Sequence, residues 1–117
     1  MFDFIKNLFK EKENEIPVID SKPQLQAEIV RKMVVFTGRV QGVGFRFEAY
    51  SVAATMGITG YVKNREDSSV LLEAQGENVA VFNFIEYLSN LSRVRVDNIE
   101  IIDMQVKPFE VSFTIEC

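Results

Sequence analysis

The segment that decides the architecture is Met33-Val34-Val35-Phe36-Thr37-Gly38-Arg39-Val40-Gln41-Gly42-Val43-Gly44-Phe45-Arg46-Phe47. Residues 33–40 are mostly apolar and β-branched, and the run is short enough for a buried strand. Gly42 and Gly44 then place two flexible points within three residues. Phe45, Ala49, Val52, Ala53 and Met56 follow on one face of a helix that Gly57 ends. In a glycine loop between a strand and a helix, successive backbone N–H groups can turn inward while the helix behind adds its positive end. Together they form an anion cradle of phosphate size. Arg46 opens the helix with a permanently charged, planar fork of donors suited to phosphate oxygens. Glycine loops also precede helices merely to turn the chain, so spacing alone leaves both readings open.

Working outward, residues 58–65 and 70–75 read as two strands joined by Glu66-Asp67-Ser68-Ser69, a stretch of hairpin-turn composition. Val81, Phe82, Ile85, Leu88 and Leu91 mark a second amphipathic helix, and a strand follows from about Ile99 to Val106. After Pro108, Phe109, Val111, Phe113 and Ile115 alternate strictly with Glu110, Ser112, Thr114 and Glu116. That alternation predicts a last, antiparallel strand buried on one face. The order is β-α-β-β-α-β plus one terminal strand. Right-handed crossovers put both helices on one face of a mostly antiparallel sheet. The expected fold is therefore α+β, a ferredoxin-like two-layer sandwich. Many unrelated functions use it, so the architecture alone selects none.

Upstream, Phe2, Phe4, Ile5, Leu8 and Phe9 have the spacing of a short amphipathic helix, and residues 16–32 with Pro17 and Pro23 read as a linker. The division expected is an N-terminal extension over 1–32 and a domain over 33–117. The extension reads as a tail resting on its own domain or a neighbour's. A membrane contact through residues 2–12 is weakened because the polar face mixes signs.

Composition removes whole classes of chemistry. The 117 residues include no histidine and one cysteine, Cys117. Ser-His-Asp and Cys-His nucleophilic sites, His-ligated metals, CxxC sites and internal disulfides are excluded. Glu48, Glu66 and Asp67 make no convincing metal set without such partners. Thirteen basic groups face 17 acidic ones, for a formal net charge of −4. Residues 1–32 balance, so the excess lies in 33–117 and opposes general affinity for nucleic acid. An RNA-binding sheet is disfavoured too, since Phe45 and Phe47 flank a strand–helix junction rather than sit on a central strand. No run approaches a membrane span, and the N-terminus lacks a signal-peptide pattern, so the default address is the cytoplasm. A monomer is favoured.

GRVQGVGFRF, followed by Gly57-Ile58-Thr59-Gly60-Tyr61-Val62-Lys63-Asn64, resembles the acylphosphatase family over residues 33–117. The resemblance implies a ferredoxin-like sandwich that hydrolyses carboxyl–phosphate anhydrides to carboxylate and inorganic phosphate, with no metal and no cofactor. It implies a phosphate-binding loop of Gln41, Gly42, Val43, Gly44, Phe45 and Arg46, with Arg46 and Asn64 catalytic. The alternative is a catalytically inactive anion-binding or protein-interaction domain of the same fold. Without the resemblance, Asn64 would be read as opening the hairpin turn, Arg39, Lys63 and Arg65 as solvated, and Tyr61 and Phe47 as packing. The chain departs from the family where Ser68 follows Asp67 in place of glycine, and where it closes on Cys117 instead of tyrosine. Because an acyl phosphate leaves as a carboxylate, whose conjugate acid has a pKa of about 4, the chemistry needs no proton donor.

Overall fold

A computed structural model describes residues 28–117. The expected helix over the first residues, and the linker up to residue 27, lie outside the described residues. The elements are β1 (Ile29–Arg39), α1 (Phe45–Ala53), a 3-10 turn (Ala54–Met56), β2 (Thr59–Asn64), β3 (Val70–Glu77), α2 (Asn78–Ser89), β4 (Arg95–Met104) and β5 (Phe113–Glu116). The sheet order is β4-β1-β3-β2-β5. β1 pairs antiparallel with both β3 and β4, and β2 antiparallel with β3. With α1 and α2 packed on one face, this is the ferredoxin-like α+β sandwich.

The alternation of each strand assigns its faces. Val34 and Phe36 of β1, Val62 of β2, and Leu72 and Ala74 of β3 point into the layer between sheet and helices. There they meet Phe45, Ala49 and Ala53 of α1 and Val81, Phe84, Ile85 and Leu88 of α2. Phe36 and Phe45 pack edge to face with ring centroids 4.9 Å apart. That contact fixes the start of α1 against the centre of the sheet, one residue before Arg46. Burying a side chain the size of Phe45 contributes about 1.5–3 kcal/mol.

Two boundaries differ from expectation. β1 begins at Ile29, so residues 29–32, read as the end of a linker, are strand. The charges Arg31 and Lys32 hid it. Arg31 is buried on the face away from the helices, where its Nε donates to Glu73 at 2.7 Å and its Nη1 to Glu110 at 2.8 Å. A buried charge held this way is compatible with a strand interior. β4 likewise starts early, at Arg95, with a bulge at Asp97 opposite Thr37 and Gly38.

The last strand is a correction. It covers only Phe113–Glu116 and runs parallel, not antiparallel, to β2. β4 ends, and β2 begins, at the same end of the sheet: Met104 and Gln75 both pair with Arg31, and Thr59 pairs with Gln75. Residues 105–112 cross the sheet at that end, so the strand entered from this strap runs with β2. Gln75 holds the strap, accepting from the Lys107 N–H at 2.8 Å and donating to the Lys107 carbonyl at 2.9 Å. Glu110 of the strap accepts from Arg31 and from Thr59 Oγ1, the latter at 2.7 Å. Phe109 and Val111, expected to be buried, are 92% and 87% exposed.

Candidate active site

The β1–α1 loop turns where backbone sterics require glycine. Gly42 (φ 74°) and Gly44 (φ 84°) are both left-handed. The Gly44 carbonyl accepts the Glu48 N–H at 2.9 Å and starts α1. Among the described residues, the backbone N–H groups of residues 42–47 donate to no protein acceptor. The first N–H groups of any helix lack helical partners. Here the loop extends that row of free donors back to Gly42.

These donors border a pocket of about 200 Å³ lined by Val40, Gly42, Gly44, Phe45, Arg46, Phe47, Asn64 and Ile115. Arg46 is half-buried at the first turn of α1. Asn64 is the last residue of β2, and its Oδ1 is buried with no hydrogen-bond partner among the described residues. An unpaired buried amide oxygen is costly, which makes Asn64 Oδ1 a free acceptor at the pocket wall.

The structure thus brings Gly42, Gly44, Phe45, Arg46 and Asn64 to one pocket, while Gln41 and Val43 stand behind it. Gln41 ties the loop to the β2–β3 turn: its Nε2 donates to the carbonyls of Arg65 and Ser69, each at 2.8 Å. One side chain therefore holds the glycine loop beside the strand end that carries Asn64. Val43 packs its side chain against the core, and its carbonyl accepts from Arg93 Nε at 3.1 Å.

The turn itself runs from Arg65 to Ser69. The Ser68 N–H donates to the Arg65 carbonyl at 3.2 Å, and the Arg65 N–H to the Ser69 carbonyl at 2.9 Å. Ser68 takes a left-handed φ of 76°, the conformation glycine accepts most cheaply. Asp67 braces it: Oδ1 accepts from the Ser69 N–H at 3.0 Å and from Ser69 Oγ at 2.5 Å. These bonds hold the exposed Asp67 carboxyl below the usual carboxylate range. Lys63, Arg65, Glu66, Asp67 and Cys117 line a second, shallower depression of about 420 Å³ that shares Asn64.

Phe47, expected to be packing, is instead 67% exposed at the pocket rim. Tyr61 sits on the opposite sheet face and donates to Glu73 Oε2 at 2.9 Å; burial and that carboxylate push its hydroxyl up to about 12. Arg39 is exposed at the end of β1, as expected. Ile115 and Arg93 were missed. Ile115 was legible only as one beat of the C-terminal alternation, and nothing in Leu91-Ser92-Arg93 signals a contact with residue 43. Among the described residues no group of three His, Cys, Asp or Glu gathers, and no helix is long and apolar enough to cross a membrane.

Comparison with known proteins identifies the family. The acylphosphatase family model matches residues 32–115. The acylphosphatase of Bifidobacterium longum is 44% identical over 91 residues, covering 73% of this chain and 94% of that one. That of Clostridium acetobutylicum is 43% identical over 86 residues, with the same coverage. The crystal structure of the Bacillus subtilis acylphosphatase superposes with a TM-score of 0.70 at 30% identity, covering 75% of this chain and 99% of that one. With the family model spanning residues 32–115 and relatives this similar over nearly their full length, the chain belongs to the acylphosphatase family, enzymes that hydrolyse acyl phosphates.

Proposed function

We propose that the loop of residues 41–46 binds the phosphoryl group, that Arg46 neutralises it, and that Asn64 orients the attacking water. The observation that carries this reading is that Gly42, Gly44, Phe45, Arg46 and Phe47, whose backbone N–H groups have no acceptor among the described residues, line one pocket with Asn64, whose buried Oδ1 has no partner there. A phosphoryl dianion supplies the acceptors that these donors lack, and the N-terminal end of α1 adds its dipole. The Arg46 guanidinium spans two phosphoryl oxygens and offsets the charge that spreads over them as the bond to the acyl oxygen loosens. The Asn64 amide is a poor base; it accepts a hydrogen bond from water and holds that water in line with the acyl oxygen.

The bookkeeping is simple. The water oxygen bonds to phosphorus as the bond between phosphorus and the acyl oxygen breaks. The electron pair leaves with the carboxylate, and the water's protons end on the phosphate product and solvent. With a leaving-group conjugate acid near pKa ~4, departure needs no acid, which suits a chain without histidine. A cytoplasmic monomer acting on a small acyl phosphate is the setting we propose for this activity.

The test is steady-state hydrolysis of benzoyl phosphate in EDTA by wild type, Arg46→Ala and Asn64→Ala, with folding checked by circular dichroism. Loss of one preorganised donor costs roughly 10²–10³ in rate, so each folded variant is expected to lose about a hundredfold or more. A folded variant that keeps activity within tenfold removes that residue from the mechanism.

A further inference from the structure

We infer that Arg93 is a positioning residue for the phosphate-binding loop, fixing from outside the peptide unit whose inner end is the Gly44 N–H. The inference rests on the phosphate-site reading above and adds a residue fifty positions away from the loop. Arg93 Nε donates to the Val43 carbonyl at 3.1 Å. Its Nη2 lies 3.2 Å from where a Cβ on Gly44 would be, so the guanidinium packs directly against the loop backbone. The described chain contains no cis peptide, and in a trans unit C=O and N–H point opposite ways. The Val43 carbonyl facing Arg93 therefore turns the Gly44 N–H to the other side of the loop, and Gly44 lines the pocket.

This unit needs an external tie. Val43 is flanked by two glycines, each left-handed, and glycine backbone is the freest to rotate. A rotated 43–44 unit would present a carbonyl where an anion has to sit. Arg93 is well based for the task. It lies in the turn between α2 and β4, where the Val94 N–H donates to the Leu91 carbonyl at 3.0 Å and both residues pack on the core. Among the described residues it makes no ion pair with a carboxylate. A cation on the carbonyl also polarises the peptide and strengthens its N–H as a donor. Arginine suits the position better than lysine, because a planar guanidinium can bond the carbonyl and lie flat on the glycine at once.

The experiment measures inorganic phosphate binding by calorimetric titration, and benzoyl phosphate kinetics, for wild type, Arg93→Met, Arg93→Lys and Arg46→Ala. A tie of this kind is one charge-assisted hydrogen bond acting at one remove, so Arg93→Met is expected to weaken phosphate about 3–10-fold. KM should rise by the same factor with kcat within about twofold, the pattern of binding lost equally from ground and transition states. Arg93→Lys should recover part of the affinity. The dependence of phosphate affinity on salt should be shallower in Arg93→Met than in wild type. A merely structural arginine would lower the melting temperature and leave that salt slope alone. If wild type binds phosphate, Arg46→Ala does not, and Arg93→Met binds within twofold of wild type, the role of Arg93 is overturned while the site stands. If wild type and Arg46→Ala bind phosphate equally, or neither binds, the site reading falls and this inference with it.

Discussion

Replacing Asn64 by alanine should make the protein more stable and less active at the same time. The Asn64 Oδ1 is buried without a partner among the described residues, and a buried polar group left unsatisfied costs ~1–3 kcal/mol. Alanine removes that cost. Against it stands the packing of the amide itself, which is small because Asn64 is half-buried and borders an open pocket of about 200 Å³. The balance favours the variant by about 1 kcal/mol, or roughly 4–8 °C in melting temperature for a domain of this size. The same substitution removes the group proposed to hold water, and the rate should fall about 10²–10³-fold. Differential scanning calorimetry in phosphate-free buffer, beside benzoyl phosphate kinetics, measures both. A folded Asn64→Ala less stable than wild type by 1 kcal/mol or more would show that the oxygen is already satisfied in the resting protein. The argument that it is held open for a substrate water would then fail.

Other expectations concern the supports around the site. Ser68→Gly relieves a left-handed serine at φ 76° and should gain about 0.5 kcal/mol, the relief of strain exceeding the added freedom of the unfolded chain; a urea midpoint that falls would contradict this. Burial pushes the Glu110 carboxyl up, but the bonds from Arg31 and Thr59 pull harder and leave it below the ordinary 4.5. Its contribution to stability is therefore present above pH 4.5 and lost as the pH falls through the lower folded value. Glu110→Gln should flatten that acid limb in denaturation measured between about pH 3 and 6, and an unchanged slope would mean the strap's carboxylate is not coupled to folding. Tyr61 should ionise near 12, because burial and Glu73 favour its neutral form. The stability this adds is full below pH 10 and fades towards pH 12. The 295 nm absorbance step near pH 12 should be lost in Tyr61→Phe, and its survival there would remove this assignment.

Much of the fold was legible because its core obeys simple periods. The strand–loop–helix passage over residues 33–57 and the two-strand hairpin carried enough apolar repetition to place both layers. The errors have specific causes. Charged Arg31 and Lys32 looked like linker because their partners, Glu73, Gln75 and Glu110 for Arg31 and Asp103 for Lys32, are distant in sequence. The alternation from Phe109 to Ile115 looked like one strand, although its first half is a strap held by polar contacts with its apolar side chains in solvent. At the site, Arg46 and Asn64 stood out through the glycine loop and the motif they share with a family. Gln41 as a brace and Arg93 as an outside tie did not, since both act on backbone carbonyls, and a carbonyl leaves no trace in a sequence.

The parallel strand β5 also decides where the sheet is open to other chains. Without it, β2 would be the outer strand, with six residues of unpaired backbone ending at Asn64. Such a margin is a template for association with another sheet. β5 covers β2 with only four residues, and the margin it offers in turn carries Thr114 and Glu116 between its apolar positions. A short, polar outer strand is a poor template. Cleavage of the strap at exposed Phe109, which would let β5 detach, is thus expected to promote self-association, because it uncovers the strand that carries Asn64.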